Sequence, residues 1–141
     1  MNKVVYVSRS GNTKKVAGAV AKGASAKAVS VEEANLSKPV NILFVGGSIY
    51  AGKIDGKLRD FLSALRKDQV KIVAVFGTAA SKKSALPEVK AILEPKGILV
   101  SDDAFQCKGK FMMVGSGHPN VEDLKQAEAF AKRICEDNSH E

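Results

Sequence analysis

The stretch KVVYVSRSGNTKKVAGAVAKGA, residues 3–24, decides the fold. It opens on a short β-branched run, Lys3–Ser8. It closes on Thr13–Ala24, where Ala17, Val20, Ala21 and Ala24 recur at helical spacing. A strand that turns directly into a helix is the first half of a βαβ unit. The turn between them gathers Ser8, Ser10, Asn12 and Thr13 around Gly11. A helix starting near Asn12 or Thr13 leaves free N–H groups and a partial positive charge in its first turn. An anion with several oxygens satisfies both. Hydroxyl and amide side chains add donors, and Gly11 lets the backbone come close and take a positive φ. A plain N-cap at Ser10 or Asn12 accounts for one polar residue, not four. The pattern is neither G-x-x-x-x-G-K-[ST] nor G-x-G-x-x-G, so it supports neither a P-loop nor a dinucleotide fingerprint.

Outward from this unit, strand-like and helix-like segments alternate. Lys27–Val31 alternates apolar and polar residues as an edge strand does, and a short helical turn or loop is expected at Glu32–Lys38. Asn41–Val45 (NILFV) and Val70–Phe76 (VKIVAVF) are apolar runs suited to strands covered on both faces. Asp55–Arg66 carries Leu58, Phe61, Leu62 and Leu65 on one helical stripe. Ser84–Glu94 reads as a helix with Pro87 in its first turn, stopped by Pro95 and Gly97. Ile98–Phe105 reads as a fifth strand, with Asp102 and Asp103 weakening its second half. Val121–Cys135 is a last amphipathic helix with Asn120 as its N-cap, and Asp137–Glu141 is a polar tail. The order predicts a single domain with a parallel sheet between two helical layers, and right-handed crossovers restrict its topology.

Composition narrows the function classes. The chain has 141 residues, 45% hydrophobic and 26% charged, as an ordinary globular domain does. No apolar stretch reaches the length of a membrane span, and the N-terminus lacks a signal-peptide layout, so a cytoplasmic location is expected. Cys107 and Cys135 are too few and too distant for a disulfide framework or a metal knuckle, and Cys107 is expected to be an inert thiol. The net charge of +7 lies in residues 1–70, with 12 Lys/Arg against 5 Asp/Glu, whereas residues 71–141 carry 10 of each. That asymmetry steers anions or acidic proteins toward the first half.

Three loops leave strands at the edge where ligands bind in open α/β sheets: Ser8–Thr13, Gly46–Gly56 and Gly77–Lys83. S-x-S-G-N-T between a first strand and a first helix resembles the FMN phosphate loop of flavodoxins. GGSIYAGKIDGKLRDFL, residues 46–62, is similar to the flavin-contacting loop after the third strand of short flavodoxin-family proteins. VFGTAAS, residues 75–81, stands where that family's other flavin loop leaves the fourth strand, and CKGKF followed by GHPNVEDLKQAEAFAKRI is similar to the family's C-terminal end.

The resemblance implies a flavodoxin-like three-layer α/β/α domain over residues 1–141 with a five-stranded parallel sheet in the order 2-1-3-4-5, a non-covalently bound FMN and electron transfer. It implies that Ser8, Ser10, Gly11, Asn12 and Thr13 wrap the ribityl phosphate, with Arg9 beside them and its side chain outward. It places Ser48, Ile49, Tyr50, Ala51 and Gly52 under the isoalloxazine ring, with Tyr50 stacking on it. It places Gly77, Thr78, Ala79 and Ala80 along the ring edge. No catalytic acid, base, nucleophile or metal site is implied.

Two departures from the family bear on partners. The third loop brings no second aromatic, which leaves one ring face open or covered by Phe105, Phe111 or a partner. The sequence pI of about 9.5 contrasts with typically acidic flavodoxins and favours a redox partner with an acidic patch. The open face keeps a small FMN-dependent quinone reductase or oxidase as the alternative. A flavin-free, nucleic-acid-binding module on the same fold is the second alternative, disfavoured by the intact first loop. His118 before Pro119 and the pair Met112–Met113 read as loop and core residues.

Overall fold

The computed structural model describes residues 1–8, 11–49, 53–79, 84–108 and 119–138. The strands are β1 (Asn2–Tyr6), β2 (Ala28–Ser30), β3 (Val40–Ile49), β4 (Val70–Ala79), β5 (Leu99–Val100) and β6 (Phe105–Lys108). The helices are α1 (Asn12–Ala24), α2 (Gly56–Ala64), α3 (Leu86–Leu93) and α4 (Val121–Asp137). Every ladder is parallel, in the order β2-β1-β3-β4-β5, with β6 also pairing β4. The reversal of strand order falls between β1 and β3, beside the first helix.

Alternation along the central strands builds the three layers. On β3, Leu43 and Val45 join Val5, Val73 and Val75 against Leu58 and Leu62 of α2 and Val89 and Leu93 of α3. The intervening Ile42 and Phe44 join Val4, Ala74 and Phe76 against Val16 and Val20 of α1 and Phe130 and Ile134 of α4. The continuous NILFV run is therefore apolar because both of its faces are covered.

The last helix starts as the sequence predicts. Asn120 Oδ1 accepts from the Asp123 N–H at 2.8 Å, and Asp123 Oδ2 accepts from the Asn120 N–H at 2.9 Å. These reciprocal bonds satisfy two terminal donors. On the other side of the same layer, α1 and α4 approach closely at Gly23, where a Cβ would stand 2.2 Å from the Glu128 carbonyl oxygen.

Two sequence expectations are corrected. The middle strands run past Val45 and Phe76, to Ile49 and Ala79. Gly46, Gly47 and Gly77 read as turn residues, yet they pair in the ladder: Gly46 beside Phe76, Gly47 beside Gly77, Ser48 beside Thr78. Glycine serves close packing here, since a Cβ on Gly46 would lie 2.2 Å from the Phe76 ring. The fifth strand is split. Ser101–Ala104 leaves the ladder between β5 and β6, and its two acids meet cations of the flanking helices. Asp102 pairs with Lys90, while Asp103 accepts from Arg133 at 2.6 and 3.0 Å.

Candidate functional site

The first turn of α1 is shaped by Ser8 and Gly11. Gly11 is the N-cap, with φ 84° and ψ −10°, a left-handed conformation that favours glycine. Ser8 Oγ accepts from the N–H groups of Gly11 at 3.0 Å and Lys14 at 3.3 Å. The Val7 N–H donates to the Gly46 carbonyl at 3.0 Å and stitches the turn to β3. The N–H groups of Asn12 and Thr13 have, by position, no acceptor within the helix, so they are the donors available to an anion. Among the described residues, a Cβ on Gly11 would meet nothing within 4 Å.

Beneath the turn, three hydroxyls from three elements meet. Thr13 Oγ1 lies 2.9 Å from Thr78 Oγ1 and 3.2 Å from Ser48 Oγ. Thr13 and Thr78 are wholly buried, and Ser48 is 3% exposed. The cluster exists because β3 and β4 extend far enough to place Ser48 and Thr78 side by side in the ladder. Hydroxyls buried at this depth are stable when paired with one another.

The segment leading into α2 is held by residues that the sequence did not single out. Glu88, in the first turn of α3, accepts from the Ile54 N–H at 2.9 Å and from Arg59 Nε at 2.9 Å. Asp55 caps α2 by accepting from the Lys57 N–H at 2.8 Å. Over the ends of β1 and β2, Tyr6, Ser8, Lys14, Ser30, Glu32 and Lys57 line a cavity of about 310 Å³. There Lys57 donates to Glu32 at 2.9 Å, which holds the Glu32 carboxyl below the usual carboxylate range. Ion pairs separated by tens of residues leave no local pattern in the sequence.

Among the expected site residues, Ser8, Gly11, Asn12, Thr13, Ser48 and Thr78 converge at the carboxyl edge of the sheet. Ile49 is buried, and its side chain belongs to the core shared with α2 and α3. Gly77 packs against the Gly47 carbonyl, and the backbone of Ala79 ends β4. Arg9, Ser10, Tyr50, Ala51, Gly52 and Ala80 lie outside the described residues, as do Phe111, Met112, Met113 and His118. Phe105 stacks on Phe130 at 5.9 Å, within the layer of α1 and α4. Cys107 is half-buried, and burial, helped by Asp123, pushes its thiol up to about 12, so it stays protonated and unreactive at neutral pH. Among the described residues, no group of three His, Cys, Asp or Glu could hold a metal ion. No described helix is long and apolar enough to cross a membrane.

A doubly wound parallel sheet of order 2-1-3-4-5, with a glycine-capped helix start at its switch point, defines the flavodoxin-like class; flavodoxin itself is a standing example of the switch-point rule. Comparison with known proteins agrees. A family model described as flavodoxin domain matches residues 3–112. An uncharacterized protein of Methanocaldococcus jannaschii is 29% identical over 136 residues, which cover 87% of this chain and 89% of that one. Among solved structures, a flavodoxin from the domain Archaea superposes with a TM-score of 0.74 at 23% identity, over 99% of both chains. The two-electron reduced flavodoxin of Megasphaera elsdenii gives a TM-score of 0.62 at 19% identity, over 94% of this chain and 99% of that one. The chain belongs to the flavodoxin family, and it is an FMN-binding, flavodoxin-like electron-transfer protein. Proteins of this kind pass electrons to redox partners.

Proposed function

We propose that this chain is an electron carrier that holds the FMN phosphate at the first turn of α1 and exchanges electrons with a partner presenting an acidic patch. The observation that carries the reading is the buried contact of Thr13 with Ser48 and Thr78, which joins the three loops singled out in the sequence. The residues suit a phosphate dianion. Asn12 and Thr13 offer N–H donors under the partial positive charge of α1, and Gly11 brings no side chain to the turn. The ring-side contacts fall, as the family resemblance implies, to the remainder of the second and third loops. Bound FMN supplies one- and two-electron transfer, and the protein supplies its position and surroundings.

The choice of partner follows from charge. Lys14, Lys15 and Lys53 are exposed at this edge, whereas the acids Glu32 and Glu88 are engaged by Lys57 and Arg59. An acidic partner gains from that arrangement mainly in association rate.

One observation favours a second reading, an FMN-dependent quinone reductase. Phe105 is turned into the α1 and α4 layer against Phe130, so it is committed to packing there. Steady-state assays of the FMN-loaded protein with a reduced nicotinamide and a quinone separate the two. A carrier turns over slowly until a reductase is added. Rapid turnover by the protein alone would replace the carrier reading with the enzyme.

A further inference from the structure

The hydroxyl cluster beneath α1 has a direction that the flavin reading does not use. Each hydroxyl has one proton to donate and lone pairs to accept. Thr13, Ser48 and Thr78 together carry three protons, and two contacts join them, at 2.9 and 3.2 Å. Within the cluster, one proton is therefore left over. Thr13 and Thr78 have no exposed surface, and Ser48 alone keeps a small exposed fraction of 3%. If the contacts ran from Ser48 through Thr13 to Thr78, the spare proton would fall on the wholly buried Thr78 and Ser48 would have only lone pairs to offer an anion. Run the other way, the spare proton falls on Ser48, the one member of the cluster that keeps exposed surface. Donors linked in this way polarise one another and strengthen the last bond.

We infer that Thr78 is a positioning residue for phosphate recognition: it donates to Thr13, Thr13 donates to Ser48, and the Ser48 hydroxyl donates to a phosphate oxygen. The inference rests on the reading that the FMN phosphate docks at this turn. Thr78 never touches the ligand. It sits near the end of β4, opposite Ser48 in the β3–β4 ladder, and acts across two side chains. The family resemblance implies a place for Thr78 along the ring edge. Its side chain instead serves the opposite end of the same ligand.

The test is the dissociation constant for FMN, measured by flavin fluorescence on the apoprotein and its variants. Thr78→Val keeps the shape and deletes the tail donor, and it should weaken FMN binding roughly three- to tenfold, the usual net worth of one buried hydroxyl bond. Thr78→Ser keeps the donor and should bind within about twofold of the parent. In a Ser48→Ala background the valine change should cost less than about twofold, because the end of the chain is already gone. A merely structural role for Thr78 would instead cost the same factor in both backgrounds. Thr78→Cys, a weaker donor, gives an intermediate loss and serves as the variant if the valine protein does not fold. The inference is overturned if valine or cysteine at 78 binds FMN as the parent does, or if the valine cost persists without Ser48. Failure of the parent protein to bind FMN would remove the flavin reading itself, and this inference with it.

Discussion

Gly23→Val is expected to destabilise the protein by about 3 kcal/mol or more, the upper end of overpacking costs. Two effects oppose each other at this position. Glycine in a helix interior is about 1 kcal/mol worse than alanine, so removing it from the last turn of α1 should help that helix by less than this, taken alone. The tertiary contact decides the sign. A Cβ at 23 would stand 2.2 Å from the Glu128 carbonyl oxygen, 3.0 Å from the Glu128 carbonyl carbon and 2.9 Å from the Ala131 Cβ. The first two are backbone atoms, so no side-chain rotation relieves the clash. Relief requires α4 to move, yet α4 is fixed by Phe130, whose ring meets Phe44 edge-on at 6.1 Å. Gly23→Ala should lose less than valine, since its clash is smaller and its helix gain offsets part of it. At roughly 3–5 °C per kcal/mol for a domain of this size, the valine variant should melt about 10 °C or more below the parent. Thermal unfolding followed by circular dichroism measures this. A valine variant that melts at or above the parent temperature would show that α1 and α4 do not pack as described.

The apoprotein should bind FMN at least about a thousandfold more tightly than riboflavin. The two ligands share the ring and differ in the phosphate, so their ratio isolates the first loop. Hydrogen bonds to a charged group are worth about 1.5–3 kcal/mol each. Two or three from the Asn12 and Thr13 N–H groups and the hydroxyls give about 4 kcal/mol, which is roughly a thousandfold. The second ionisation of a phosphate monoester lies near pH 6, so the preference should shrink as pH falls below about 6 and the anion loses a charge. Parallel fluorescence titrations with the two ligands at pH 7.5 and 5 give both values. Equal affinity for FMN and riboflavin would mean that the ring, not the anion, determines binding.

Much of this arrangement was legible because its causes are local. The spacing of Val20, Ala21 and Ala24 set the first helix, and the apolar runs marked strands buried on both faces. Asn120 announced the last helix because a cap acts within three residues. Even the weakness of the fifth strand was visible, since Asp102 and Asp103 suit a gap in the ladder better than a buried ladder position. The rest depends on pairs far apart in the chain. Gly46 and Gly77 resemble turn glycines until Phe76 and the Gly47 carbonyl are placed beside them. Thr13 reads as a donor to an anion, and only the fold shows its hydroxyl against Ser48 and Thr78, 35 and 65 residues away. Glu88 was silent for the same reason, as its partners Ile54 and Arg59 lie 34 and 29 residues upstream.

An anion seated where β1 gives way to α1 is the central feature of the proposed site. Isothermal calorimetry of the apoprotein with FMN examines this most directly. One equivalent should bind with release of heat and a dissociation constant below about 1 μM. The same titration after Gly11→Val, which forces a β-branched residue into the left-handed region, should be weaker by at least tenfold. No heat on mixing the parent protein with FMN, or identical binding by the valine variant, would contradict it.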